Sequence, residues 1–140
     1  MTSEDPFLKE LWKHKADEEK GETQEDKDLN LYFKFKTDAA KFHSLIPLIV
    51  ELEKTVGKYA QSVARWSSVR QGKSEKEVMM AADQNRKLAH NILIDIVNQI
   101  SREYKKLGLT NSWRSDIIGN TRAELGDWAL TIARKALNHE

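Results

Sequence analysis

One segment constrains this chain more than any other. Val78, Ala82, Leu88, Ala89, Ile92, Leu93, Ile96, Val97, Ile100 and Tyr104 recur at helical spacing and, at about 100° per residue, cover half a helix circumference. Ser74 with Glu77 three residues later has the form of a capping box, and Leu107-Gly108 that of a glycine C-cap. The pattern predicts one helix over about 74–107. An apolar arc this wide needs cover from two or more neighbours, so the helix is expected at the centre of an all-α bundle.

The flanking sequence supplies those neighbours. Residues 29–36 alternate like a strand, yet Leu31, Phe35, Ala39, Phe42, Ile46 and Ile49 also keep helical spacing. No second strand candidate follows to pair with a first one, so a helix is expected. Pro47 requires a kink or a fresh helix starting near Ser44. From there Leu45, Ile49, Leu52, Val56, Tyr59, Ala60 and Val63 form one stripe, ending at Gly72. The last element spans about 112–137, with Ile117, Thr121, Leu125, Trp128, Ile132 and Ala136 in register. A break near Gly119, with Thr121 and Glu124 as a new capping box, fits this stretch. The sequence thus reads as a four- or five-helix bundle carrying a charged N-terminal arm.

The arm is read from charge. Residues 1–28 carry ten acids against five lysines, a net of −5, whereas residues 29–140 carry 18 bases against 12 acids, a net of +6. Asp5-Pro6 reads as a helix start, and Phe7, Leu8, Leu11 and Trp12 share one side of a short helix. Residues 13–28 are almost without apolar side chains and read as a solvated linker. Two domains follow from this: an arm at 1–28 and a bundle at 29–140. Phe7, Leu8, Leu11 and Trp12 are candidates for docking on a partner or on the bundle itself.

A chain of 140 residues needs no covalent staple, and it contains no cysteine. Disulfides, thiolate metal sites and a cysteine nucleophile are therefore excluded. The longest apolar runs, Leu45 to Val50 and Val78 to Ala82, are far too short to span a bilayer. With no apolar signal core near the start, a cytoplasmic protein without membrane contact is expected.

Most familiar chemistry lacks its residues. Glu-x-x-His and His-x-x-x-His are absent, and the histidines stand apart at 14, 43, 90 and 139, so no metal is expected. Neither glycine-rich phosphate loop occurs. With these gone, no cofactor is expected. Glu124-x-x-Asp127 imitates one acidic half of a helical pyrophosphohydrolase site, but Glu22-x-x-Glu25 lies in the linker, far from a second half. Lys106-Leu-Gly-Leu-Thr110 looks like the turn of a helix-turn-helix, but Arg114 stands where such a motif buries an apolar residue.

Three polar features remain. Asp83, Arg86 and His90 fall along one edge of the apolar arc, and a carboxylate beside His90 would prepare it as a general acid or base. The same trio would equally serve as an ion-pair edge between two helices. Asn85 falls mid-arc, where a buried amide must bond a neighbouring helix or fix register as asparagine does in coiled coils. Arg134 and His139 have the Arg-x4-His spacing of HEPN-type ribonucleases. That resemblance implies arginine and histidine of a dimer acting on an RNA 2′-hydroxyl and phosphate. Lys135 stands where that family carries a polar residue, and a basic helix end complementing the helix dipole explains the same residues.

The string Asp83-Gln-Asn-Arg-Lys-Leu-Ala-His-Asn-Ile-Leu-Ile, running on to Arg102, resembles small helical proteins of Gram-positive bacteria. The resemblance implies a bacterial cytoplasmic protein and brings no activity with it. The sequence as a whole favours a non-enzymatic interaction module that binds a protein partner or itself. A small hydrolase or ribonuclease using His90 or His139 is the alternative, and a nucleic-acid binder using the +6 body is the third.

Overall fold

The computed structural model describes residues 23–72, 75–109 and 112–137. All regular structure among them is helical: α1 (Gln24–Ala39), α2 (Ile46–Gln71), α3 (Lys76–Lys106), α4 (Trp113–Ile117) and α5 (Arg122–Lys135). They form a helical bundle whose long central helix, α3, runs for 31 residues. Phe7, Leu8, Leu11, Trp12 and His139 lie outside the described residues.

α1 starts earlier than the sequence suggested. The Thr23 side chain accepts the Asp26 N–H at 3.1 Å, and no glycine or proline interrupts the chain from there to Ala39. Residues 24–28, expected to be linker, are therefore its first turn. The domain boundary drawn at residue 28 falls inside a helix. Glu25 binds Arg134 at 2.7 Å and Lys135 at 3.6 Å, tying this turn to the end of α5.

Burial along α1 also corrects the expected stripe. Tyr32, Phe35 and Ala39 are buried, whereas Leu31 and Phe33 are exposed. A tyrosine can occupy the core when its hydroxyl finds a partner. Tyr32 donates to the Glu53 carboxylate, which Lys36 also meets at 2.8 Å. Burial and that carboxylate together push the Tyr32 phenol far above its ordinary range.

Pro47 sits in the first turn of α2, where its missing N–H costs nothing, and residues 40–45 form the bend after α1. α2 and α3 then run antiparallel along their lengths. Trp66 lies beside Arg86, Tyr59 beside His90 and Leu48 near Arg102. Leu52, Val56, Leu93, Val97 and Ile100 close the layer between them. The N-cap of α3 is Glu75 with no side-chain cap bond, one residue later than the box expected from Ser74, which lies outside the described residues. Its other end is a Schellman motif. Gly108 at φ 73° and Leu109 return N–H bonds to Lys105 and Tyr104 at 3.1 and 2.9 Å.

Aromatic side chains lock α4 to α1 and α3. Trp113 stacks on Phe35 with ring centroids 5.0 Å apart, Tyr104 lies 5.8 Å from Trp113, and the indole N–H reaches Ser101 at 2.9 Å. The chain turns at Gly119, whose φ of 115° is open to glycine and costly for other residues. The expected capping box then starts α5, with Thr121 and Glu124 bonded reciprocally.

Glu124 Oε1 accepts the N–H groups of both Asn120 and Thr121 at 3.0 Å. Those backbone bonds hold its carboxyl below the usual carboxylate range. A depressed folded-state pKa contributes stability that is present above the ordinary carboxylate pKa and lost as pH falls through the folded one. Glu124→Gln is therefore expected to lower the Tm at neutral pH, with the gap to wild type closing as acid protonates Glu124. Thermal melts across the acid range check this.

Candidate functional site

Arg86 and His90 open onto a cleft of about 520 Å3 between α3 and α5. Tyr59 contributes from α2, Lys87 from α3, and Arg122 and Asp127 from α5. Asp83 does not complete a catalytic pair with His90. Its carboxylate takes Arg86 at 2.6 Å and Lys87 at 3.1 Å, and the bond to Arg86 foremost holds its carboxyl below the ordinary range. Seven helical residues separate Asp83 from His90 by roughly 10 Å along the axis, and the two cations lie nearer.

His90 is spoken for elsewhere. Its Nε2 lies 3.0 Å from the Arg122 carbonyl, and since a carbonyl only accepts, Nε2 carries the proton. The ring meets Tyr59 edge-on at 5.4 Å. Burial foremost pushes the Tyr59 phenol upward, keeping it a neutral donor. α5 approaches this closely because residue 126 is glycine: a Cβ there would lie 2.8 Å from the Tyr59 hydroxyl oxygen.

Both guanidinium groups are pre-set. Arg86 lies over the Trp66 ring at 4.8 Å, with Arg70 over the same ring at 4.2 Å. Arg122 donates to Asn91 Oδ1 at 2.8 Å. The cleft wall is thus an ion-pair and hydrogen-bond edge joining α2, α3 and α5, with cationic groups facing a common space.

Asn85 is exposed, against the expectation of a buried amide. α2 and α4 cover the side of α3 that carries Leu93, Val97 and Ile100, leaving another strip of the wide arc open. Leu88 and Ile92 are 59% and 56% exposed, Val78 is 38% exposed, and Ala81 is exposed as well. Positions 78, 81, 85, 88 and 92 repeat at alternating steps of three and four, which is the a/d spacing of a coiled-coil seam. Thr55 and Lys58 of α2 border it, with Asn85, Leu88, Ala89 and Ile92 around a recess of about 170 Å3. Sequence reasoning merged this seam with the core-facing stripe. The seven-residue repeat is present in the sequence, but only the packing of α2 shows that this face stays open.

The remaining candidates take structural places. Arg134 is paired with Glu25, and its motif partner His139 lies outside the described residues. The helix after the Gly108 turn has only five residues, too few for a recognition helix. Trp113 and Trp128 are core residues. Among the described residues no group of three or more metal-ligating side chains converges, and no helix is long and apolar enough to cross a membrane.

No family model, curated protein or solved structure matches the chain.

Proposed function

We propose that this chain is a non-enzymatic helical interaction module, working in the cytoplasm by reversible pairing with a second copy of itself. The observation that carries the reading is the open seam Val78, Ala81, Asn85, Leu88 and Ile92 on α3. A helix face that no element among the described residues covers, and that keeps a strict heptad step, suits a facing helix with the same step. A second copy supplies one by two-fold symmetry, in which each patch meets itself.

Asn85 favours that occupant over an unrelated apolar helix. In parallel, in-register pairing Asn85 meets the same residue of the other copy, and each amide both donates and accepts. Asparagine at one a position specifies register and two strands at some cost in stability. The seam runs for about 21 Å at 1.5 Å per residue. A patch of that length falls below the area of obligate interfaces, so the pairing is concentration-dependent and suits a regulatory exchange.

Sedimentation velocity over a wide concentration range tests the reading. Wild type is expected to shift from monomer to dimer, and Leu88→Asp to stay monomeric with an unchanged far-ultraviolet spectrum. Asn85→Val is expected to tighten association and admit higher oligomers. A wild type that stays monomeric throughout, or a dimer indifferent to Leu88→Asp, would overturn it.

A further inference from the structure

We propose that the cleft between α3 and α5 binds a small phosphorylated molecule of nucleoside-monophosphate size, held by Arg86, Lys87 and Arg122. Its wall gathers these three cations from two helices, with Asp127 the acid lining it, while Asp83 outside the lining pairs with both Arg86 and Lys87. A volume of about 520 Å3 lies within the range of small-ligand sites.

The donors are positioned and not used up. Arg86 is held by Asp83 through one terminal nitrogen, and Arg122 is held by Asn91 through one of its own. Each guanidinium has five N–H donors, so both keep several for a ligand. Arg86 Nε is buried and lacks a hydrogen-bond partner among the described residues. Trp66 beneath Arg86 and the bond to Asp83 restrict the guanidinium, which reduces the ordering cost of binding.

The arrangement distinguishes among anions. A carboxylate is planar and is satisfied by one arginine fork, whereas a phosphate monoester offers oxygens in three directions and nearly two charges. Cations converging from α3 and α5 suit the latter. Asp127 on the same wall would accept from a sugar hydroxyl. The glycine at 126 keeps this side of the cleft free of a side chain.

This inference is independent of pairing through the seam. Calorimetric titration of the full chain with adenosine monophosphate at fixed ionic strength tests it, with inorganic phosphate and a single-stranded RNA as parallel titrants. Wild type is expected to bind adenosine monophosphate at one saturable site and phosphate more weakly. Arg122 is exposed, so Arg122→Gln is expected to keep the wild-type Tm while losing affinity about tenfold. Arg86→Lys keeps the charge but not the fork, and is also expected to weaken binding. Leu88→Asp is expected to bind as wild type does. Absence of saturable binding, wild-type affinity in both Arg122→Gln and Arg86→Lys, or RNA binding tighter than the nucleotide would each overturn the proposal.

Discussion

Ile96→Asp is expected to abolish folding, while Ile92→Asp, one turn away on α3, is expected to leave a folded chain with nearly the wild-type Tm. Ile96 is 3% exposed and packs in the main core, and Ile92 is 56% exposed. An unpaired carboxylate in the core costs several kcal/mol, a large share of the ~5–15 kcal/mol that holds a domain together. The same charge on an open surface changes stability by ~0.5 kcal/mol or less. Circular dichroism melts of the two variants check this. Equal damage from both would mean that the seam is covered within the single chain.

Trp113→Ala is expected to be the costliest truncation outside the long helices, at about 3–5 kcal/mol. α4 has five residues and no independent means of staying folded. What fixes it is Trp113, 4% exposed, stacked on Phe35 of α1, near Tyr104 of α3 and bonded to Ser101. Removing the indole takes away the joint among α1, α3 and α4 at once. Trp113→Phe keeps an aromatic ring against Phe35 but loses the bond to Ser101, and so is expected to fall between the two. Denaturant titration of the three proteins gives the order.

The helices were legible because their signals are local. Thr121 with Glu124, Gly108 after Leu107 and Pro47 at a helix start each act through the backbone beside them. Periodicity identified α2 and α3, whose apolar residues recur over several turns. Burial was less legible, since it depends on which neighbour arrives. Tyr32 lies in the core because Glu53, on another helix, receives its hydroxyl. Leu31 and Leu88 are open because no element among the described residues covers them. Period alone cannot separate a stripe that meets α2 from one that meets nothing.

The candidate site divides in the same way. Arg86 and His90 do border a cleft, and Asp83 does bind Arg86, as the i, i+3 spacing on one helix suggests. Arg122, Gly126 and Asp127 belong to that cleft too, but they come from α5, at a distance in sequence that no short motif spans. Asn85 drew notice as an amide among apolar residues. Its position on an open heptad seam needed the packing of α2 to be seen.

Pairing through α3 can be read directly with a single thiol, because the chain has no cysteine of its own. A disulfide forms when the two Cα atoms come within about 4.4–6.8 Å. In-register pairing brings Asn85 that close to its own copy, while Met80, 60% exposed, lies off the seam. Mild oxidation of Asn85→Cys is expected to give a covalent dimer rapidly, and Met80→Cys to remain largely monomeric under the same conditions. Equal cross-linking at the two positions, or none at Asn85→Cys, would contradict self-pairing through this face.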